Sequence, residues 1–304
     1  MSELENPALF RYVLESLQTG IYLVDREQRI IFWNDGAERI TGYLRHDMLG
    51  RFCRHNWMAP DAGHTEMLAD AMDAVSSVLR DGKPMTAQVA LLHKSGHRVP
   101  VQLRAVPIRN SDGTIIGAVE SFDETFAVSD WDKRRSKLAS YGCLDEATGA
   151  INQGLTEGYL REKLATFGKY AVPFSVLCVQ VDRIEILRAA HGPGAVTAVL
   201  RAVAQTLGKS LRPTDLLGWC CDQHFLAILG ECGSNDIQKA AARLKKMVSY
   251  ADVEWWGDDL TVTASFGGTA VQPGDTLESL IQRAEKSALA SVEAGGNCVS
   301  VLAE

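Results

Sequence analysis

Hydrophobic and polar residues alternate with a strand-like period through the first 125 residues of this chain. Apolar runs at 20–24, 29–33, 85–93, 98–109 and 114–122 are separated by turn sequences such as Lys94-Ser-Gly-His97 and Asn110-Ser-Asp-Gly113. Helical patterns lie at 10–17, 36–41, 45–49 and 65–80, and the last of them ends at Asp81-Gly82. These elements predict an antiparallel sheet with flanking helices.

The pattern changes after residue 145, where helical and strand periods alternate. Helices are predicted at 155–170, 196–211, 236–248 and 276–294, and strands at 174–181, 216–219, 225–229, 260–270 and 297–301. A central sheet surrounded by helices follows from this order. With 304 residues, the chain is long enough for two cores, so we predict a two-domain protein, α+β in its first domain and α/β in its second.

A charged segment at 126–144 separates the two patterns, and a helix is predicted there. Trp131 and Leu138 lie seven residues apart, which is one heptad. Two interpretations stay open. The segment is either a signalling helix that pairs two protomers through Trp131 and Leu138, or a solvated linker.

Charge and composition exclude several classes of protein. A formal net charge of −7 argues against nucleic-acid binding, which requires an excess of Lys and Arg. No window approaches the roughly 18 uninterrupted apolar residues of a membrane span, and the first residues lack the pattern of a signal peptide. We therefore expect a cytoplasmic protein. The seven cysteines show no C-x-x-C pair, which predicts free thiols.

The first half of the chain contains a series of short motifs. They are Gly20-Ile-Tyr-Leu-Val-Asp25, Ile31-Phe-Trp-Asn34, Ala37-Glu-Arg-Ile-Thr-Gly-Tyr43, Gly50, His93-Lys-Ser-Gly-His97, Asp112-Gly113 and Asp123-Glu-Thr125. Residues 8–125 therefore resemble a PAS domain, a family whose members hold small molecules, flavin or haem. His55 and His64 are the candidate haem ligands, but both precede the predicted 65–80 helix, which favours an exposed loop. Trp33, Trp57 and Phe32 are candidate pocket residues, although such aromatics more often form core. We expect no coloured cofactor.

A second series of motifs occurs between residues 142 and 302. It comprises Asp145-Glu-Ala-Thr-Gly149, Asn152, Gln180-Val-Asp182, Cys221-Asp-Gln-His-Phe225, Ser265-Phe-Gly267 and Gly295-Gly-Asn297. This series resembles the GGDEF domain of diguanylate cyclases, and we assign it residues 145–304, after a linker at 126–144. The resemblance implies a dimer in which each protomer holds GTP and Mg²⁺, and two GTP molecules are joined into cyclic di-GMP.

The positions that carry catalysis in this family hold other residue types here. The resemblance places the metal carboxylates on Gln180 and Gln223, and replaces the signature glycines and final acid with Cys221, Asp222 and His224. The guanine contacts fall on Arg188 and Ala189, and the phosphate contacts on Val292 and Gly296. Phosphoryl transfer requires charge neutralisation that these residues do not supply, so we predict a degenerate, non-catalytic domain. Asp222 faces away from the old metal site in a regular strand. Asp182 is expected to be solvated or to cap an element.

One motif keeps the residue types of the family. Arg212-Pro-Thr-Asp215 stands where relatives have an R-x-x-D inhibitory site for cyclic di-GMP, and Arg243 matches an arginine of the same site. Arginine can donate two parallel bonds to guanine or phosphate, and a carboxylate can accept from guanine N–H groups. The alternative is a surface ion pair between Arg212 and Asp215, with Arg243 on a solvated helix.

Three hypotheses of function remain. The leading one is a PAS–GGDEF regulator that binds cyclic di-GMP through Arg212, Asp215 and Arg243. The second is an active diguanylate cyclase, alone or in a mixed dimer, and the third is a dimerisation scaffold that binds no nucleotide. We expect a homodimer formed through the PAS domain and linker, and a signalling partner protein. No metal site is expected, because the spacing of His224 beside Cys220 and Cys221 favours a structural role.

Overall fold

The computed structural model describes residues 7–53, 58–60, 74–220 and 224–302. The chain forms two compact units, one containing the residues up to Thr125 and the other starting at Phe126 and including the short segment 96–98. Several sequence candidates lie outside the described residues: His55, Trp57, His64, Cys221, Asp222 and Gln223. The predicted 65–80 helix is described from residue 74 onwards.

The first unit contains strands in the order that alternation predicted. Its helices are α1 (Pro7–Ser16), α2 (Asp35–Thr41), α3 (Arg45–Met48) and α4 (Ala74–Asp81), and its strands are β1 (Gly20–Asp25), β2 (Ile30–Trp33), β3 (Met58–Pro60), β4 (Met85–Leu92), β5 (Arg98–Arg109) and β6 (Ile115–Glu124). The strand order β2-β1-β6-β5-β4-β3 places β6 in the interior of the sheet, between β1 and β5. Both neighbours of β6 are antiparallel to it, which confirms the predicted antiparallel sheet.

Asn34 shows how local sequence fixes this unit. Its side-chain oxygen accepts from the N–H of Ala37 and so caps α2, while the same oxygen accepts from the N–H of Ile21 in β1. Gly42 ends the helix in a left-handed conformation at φ 74°. One buried side chain thus ties α2 to β1.

The second unit alternates helices and strands. Its helices are α5 (Phe126–Ser140), α6 (Gln153–Tyr170), α7 (Ile184–Ser210), α8 (Ser234–Ser249) and α9 (Leu277–Glu293), and its strands are β7 (Phe174–Val181), β8 (Leu216–Trp219), β9 (Phe225–Gly230), β10 (Asp252–Trp255), β11 (Asp258–Thr261), β12 (Ala264–Ala270) and β13 (Val299–Val301). The main sheet has the order β13-β12-β7-β9-β8. β7 lies at its centre because residues 174–179 are buried on both faces.

Two apolar layers cover the faces of this sheet. One layer joins Val179 and Phe225 to Val199 of α7 and Leu244 of α8, and the other joins Cys178 to Ala284 of α9. Helices therefore lie on both faces, as the alternating pattern predicted.

The structure differs from the sequence prediction at two places. The predicted strand at 260–270 is two strands, because the chain leaves β11 at Thr261 and starts β12 at Ala264, and β11 pairs with β10 in a separate hairpin. The helix predicted from 196 starts earlier, at Ile184, and is interrupted at Gly192, whose φ of 79° and ψ of 176° are not helical. Gly192-Pro193 therefore divides α7 into segments 184–191 and 193–210.

The linker prediction of a helix is correct, but the pairing of protomers through Trp131 does not fit the structure. Trp131 is 3% exposed and belongs to the core of the second unit. Leu138 is partly buried against the other layer of that unit. A side chain buried within its own unit is not available to a second protomer unless α5 leaves this position.

No helix in the described ranges is both long enough and apolar enough to cross a membrane.

Candidate functional site

A cavity of about 770 Å³ opens at the carboxyl end of β7. Its lining includes three of the positions where family residue types are replaced, Gln180, Val292 and Gly296, whereas Arg188 and Ala189 are not among the described lining residues. The formally charged lining side chains are Asp182, Arg183 and Glu185. The described lining thus carries little positive charge for a nucleoside triphosphate.

Asp182 braces three segments at the mouth of this cavity. Its Oδ1 accepts from Ser265 Oγ at 2.7 Å, and its Oδ2 accepts from Thr263 Oγ1 and from the N–H of Asn297, both at 2.8 Å. The sequence-based expectation of a solvated or capping carboxylate is therefore wrong. Both oxygens already accept bonds that hold β12 and the 295–297 loop to the end of β7.

His224, which precedes β9, lies beside Glu285 of α9. It is 7% exposed, and its Nε2 lies 3.2 Å from Glu285 Oε1 without a hydrogen-bonding geometry. Cys178 and Cys220 are also buried in this region, and burial raises the pKa of the Cys178 thiol. Within the described parts of the chain, no cluster of three or more acid, His or Cys side chains has an arrangement suited to a metal ion.

The Arg212–Asp215 turn connects α7 to β8, and all four of its carbonyls accept hydrogen bonds. The Arg212 carbonyl accepts from the N–H of Asp215 at 2.9 Å, and the Thr214 carbonyl accepts from Tyr159 Oη at 3.1 Å. Arg134 Nη1 of α5 donates to the carbonyls of Pro213 at 2.9 Å and Asp215 at 3.2 Å. The turn is thus held by two helices outside it.

Asp215 stabilises this turn from inside. It is 4% exposed, its Oδ2 accepts from the N–H of Arg212 at 2.9 Å, and its Oδ1 accepts from the N–H of Gly230 at 3.1 Å. Burial raises the pKa of this carboxyl above its ordinary value, although the two N–H groups and the charges of Arg212 and Arg243 lower it. The expectation that Asp215 accepts directly from guanine does not fit this burial, because its oxygens already serve the backbone.

Two arginines lie in or beside the turn that contains Asp215. Arg212 is exposed on the turn, while Arg243 is partly buried on α8 and donates through Nη1 to the Ser210 carbonyl at 2.8 Å. The charges of both guanidinium groups lower the pKa of Asp215. The structure therefore places Arg243 against the end of α7, directly before the turn that begins at Arg212, with Asp215 inside that turn.

Comparison with known proteins identifies the family of the second unit. Residues 143–298 match the family described as diguanylate cyclase, GGDEF domain, and this match covers half of the chain. The chain belongs to the GGDEF diguanylate cyclase family. Residues 14–126, before the GGDEF domain, match the PAS fold.

Relatives of the GGDEF domain include diguanylate cyclases. A probable diguanylate cyclase, DgcE of Escherichia coli, is 24% identical over 97% of this chain and 27% of its own length. The response regulator PleD of Caulobacter vibrioides is 29% identical over 51% of this chain and 35% of its own length. The chain thus spans about a quarter to a third of these curated relatives.

Solved structures show the same fold. Diguanylate cyclase SiaD of Pseudomonas aeruginosa, solved in complex with its activator SiaC, has a TM-score of 0.52 and 23% identity, covering 57% of this chain and 68% of its own. The GGDEF domain of DgcB from Caulobacter crescentus, solved with cyclic di-GMP, has a TM-score of 0.50 and 20% identity, covering 53% of this chain and 93% of its own. At these identities the likeness shows the fold alone.

The PAS domain contains a polar cluster that sequence analysis missed. Glu120 of β6 is 1% exposed and hydrogen-bonds through Oε2 to the hydroxyl of Tyr22, which lies 3.0 Å from Cys53 Sγ. Glu120 Oε1 is buried and has no hydrogen-bond partner among the described residues. Burial raises the pKa of Glu120 to about 7, while the Tyr22 hydroxyl lowers it. The alternation of inward and outward residues along β6 could have indicated that Glu120 is buried, because it lies on the same face as buried Ala118 and Phe122.

Aromatic side chains surround this cluster. Trp33 is fully buried, lies 5.6 Å from the Tyr22 ring and 6.4 Å from the Phe122 ring between centroids, and donates through Nε1 to the Tyr43 carbonyl at 3.1 Å. Phe32, the other described pocket candidate, is half-buried. Trp33 therefore packs as core in the PAS domain.

Proposed function

We propose that this chain is a cytoplasmic PAS–GGDEF signalling regulator whose GGDEF domain binds cyclic di-GMP and does not synthesise it. The observation that carries the proposal is the position of Arg243, whose Nη1 donates to the Ser210 carbonyl next to the turn that contains Arg212 and the buried Asp215. The turn that presents Arg212 is held through all four of its carbonyls. Such a turn fixes the backbone of Arg212, which lowers the ordering cost of binding.

Cyclic di-GMP has the chemistry that this site requires. It carries two phosphates and two guanines, and an arginine can donate paired hydrogen bonds to a phosphate or to guanine O6 and N7. Asp215 contributes by fixing the turn, because its oxygens accept from the N–H groups of Arg212 and Gly230. The proposal thus assigns ligand contacts to Arg212 and Arg243, and a positioning role to Asp215.

The residues of the β7 cavity support the loss of synthesis. Gln180 is neutral, and Val292 and Gly296 offer no cation. Transfer between two triphosphates needs metal ions and cations that offset the phosphate charge. The two oxygens of Asp182 are already engaged with Thr263, Ser265 and Asn297.

Calorimetric titration with cyclic di-GMP tests the binding function. We expect Arg212→Ala to weaken affinity by roughly ten- to a hundredfold, since a charged hydrogen bond contributes about 1.5–3 kcal/mol. Arg243→Ala should weaken it similarly. Lys239→Ala is the matched control, because Lys239 is an exposed cation one turn earlier on α8. Equal affinities in all four proteins, or no binding by the wild type, would favour the scaffold hypothesis.

Incubation with GTP and Mg²⁺ tests the absence of synthesis. We expect no cyclic di-GMP by mass spectrometry. Steady turnover that is abolished by substituting Gln223 would contradict the proposal, because it would show that the altered signature supports catalysis. The double variant Gln180→Asp/Gln223→Glu reports whether restoring two carboxylates is enough to restore activity.

We also propose that the PAS domain is a sensor without flavin or haem, that it forms a homodimer, and that a partner protein receives the signal. Dimerisation through PAS is favoured over Trp131 of the linker, since Trp131 is buried in its own unit. Light scattering during gel filtration tests the dimer, and a monomer over the micromolar range would contradict it.

A further inference from the structure

The linker helix α5 docks onto the GGDEF domain through several contacts. The indole of Trp131 packs on Gly208 of α7, where a Cβ would overlap with the ring. Lys209, 8% exposed, places Nζ 3.3 Å from Asp132 Oδ2, and Arg135 Nε donates to the Gly149 carbonyl at 3.2 Å. These contacts fix α5 along α7 immediately before the Arg212–Asp215 turn.

Arg134 extends this docking to the turn itself. Its Nη1 donates to the carbonyls of Pro213 and Asp215, two of the four carbonyls of the turn. If α5 moves away, these two carbonyls lose their donor together, while the bonds from Tyr159 and within the turn remain. The position of α5 therefore affects how firmly Arg212 is presented.

The docked position also leaves one buried polar group of α5 unpaired among the described residues. The indole N–H of Trp131 is buried and has no hydrogen-bond partner in the part of the chain that the structure describes. Arg134 Nε and Asp130 Oδ2 form an ion pair at 3.0 Å within α5, so this pair does not itself hold the helix to the GGDEF domain. Buried polar atoms without partners reduce the net stability of an interface. The helix is thus held by apolar packing and by polar contacts from Asp132, Arg134 and Arg135, but with one buried indole N–H left unpaired.

The chain connects α5 directly to the sensor. The central PAS strand β6 ends at Glu124, and α5 begins at Phe126, so a single residue, Thr125, separates them. We propose that α5 is the element through which the PAS domain controls the ligand site: docked α5 uses Arg134 to position the Arg212–Asp215 turn, and released α5 leaves the turn loose. This inference rests on the proposed cyclic di-GMP function for its ligand, but the effect on the turn stands without it.

Thermodynamic linkage gives the proposal a reciprocal consequence. If docked α5 tightens cyclic di-GMP binding by some factor, cyclic di-GMP must favour docked α5 by the same factor. Arg134 is then a positioning residue that acts through the turn. Its loss should change the mobility of the turn even when no ligand is present.

The first experiment compares Arg134→Ala with Lys133→Ala, its exposed neighbour on the same helix. Hydrogen exchange without ligand is expected to be about fivefold faster at the Arg212 and Asp215 amides of Arg134→Ala, consistent with the loss of about one net hydrogen bond. Affinity for cyclic di-GMP is expected to fall by about five- to tenfold. Lys133→Ala should leave both quantities unchanged.

The second experiment releases α5 without touching any polar group. Gly208→Ala places a methyl group where the Trp131 ring lies, while alanine favours helix formation in α7. Gly158→Ala is the matched control, because a Cβ at Gly158 of α6 meets open space. We expect Gly208→Ala to accelerate exchange in both α5 and the turn, and cyclic di-GMP to slow exchange of α5 in the wild type.

The outcomes separate this inference from the proposed function. Faster exchange of the turn in Arg134→Ala and Gly208→Ala, but not in the controls, supports control of the turn by α5. If the wild type does not bind cyclic di-GMP, the proposed function fails, and the exchange rates alone decide the inference. Exchange of the turn that matches the controls in both variants overturns it, as does unchanged affinity in both variants of a ligand-binding protein.

Discussion

Replacement of Glu120 by glutamine is expected to remove a pH-dependent loss of stability from the PAS domain. Glu120 lies in the central strand β6, is 1% exposed, and has one oxygen without a hydrogen-bond partner among the described residues. The groups that face it are the hydroxyl of Tyr22 on β1 and, through that hydroxyl, the thiol of Cys53. A carboxylate in this position is disfavoured because burial removes its hydration.

The direction and size of the effect follow from the pKa of Glu120, which burial raises from 4.5 to about 7. Below pH 4.5 the carboxyl is neutral in both the folded and the unfolded chain. As pH rises from 4.5 to 7, the unfolded chain releases the proton while the folded chain retains it, so the free energy of unfolding falls. Because each pH unit in this window is equivalent to about 1.4 kcal/mol, the loss reaches about 3 kcal/mol above pH 7.

Scanning calorimetry of the full chain at about pH 5 and about pH 8 measures this loss. For a domain of this size, 3 kcal/mol corresponds to a shift of roughly 10 °C in Tm. The difference in Tm between the two pH values should largely disappear in Glu120→Gln. It should remain in Glu27→Gln, which replaces an exposed carboxyl on the β1–β2 turn. An equal pH dependence in Glu120→Gln and the wild type would refute the assignment of this titration to Glu120.

Three further outcomes are expected. Asp182→Ala should lower the free energy of unfolding by about 2–4 kcal/mol in urea titrations, since it removes three hydrogen bonds that hold β12 and the 295–297 loop, and an unchanged midpoint would contradict this role. Gly267→Ala should cost about 3 kcal/mol, measured in the same way, because its Cβ would overlap with the backbone of Ala288 in α9; Gly233→Ala, where a Cβ meets open space, is the control. The purified protein should show no visible absorption, and a flavin or Soret band that persists through gel filtration would identify a PAS cofactor.

Strands with a simple pattern could be predicted from the sequence to within a residue. The central strand Phe174–Val181 is an example, because an apolar run bounded by turn residues has few other structures available. The β10–β11 hairpin could not be predicted in this way. Its turn is Trp256-Gly257, and both residues have positive φ, 53° and 90°. A bulky residue is rare in that conformation, so the tryptophan masked the turn signal of the glycine.

Prediction of the candidate sites was limited by tertiary contacts. The sequence brought Arg212, Asp215 and Arg243 together through a family motif, but only the fold shows that Asp215 faces the backbone of its own turn and of Gly230. Arg134 carried no signal, because it is one cation in a charged run, and its role depends on how α5 packs against α7. Spacing in a sequence does not specify which cation of such a run meets a carbonyl.

The contact between Trp131 and Gly208 has a consequence for how this protein can diverge. The absence of a side chain at position 208 is what makes room for the indole, so the two positions are constrained as one volume. A larger residue at 208 is compatible with a docked α5 only if position 131 becomes smaller. Among homologues that retain this arrangement, residue size at the two positions should therefore covary inversely, and a bulky residue at both would identify a chain whose linker helix lies elsewhere.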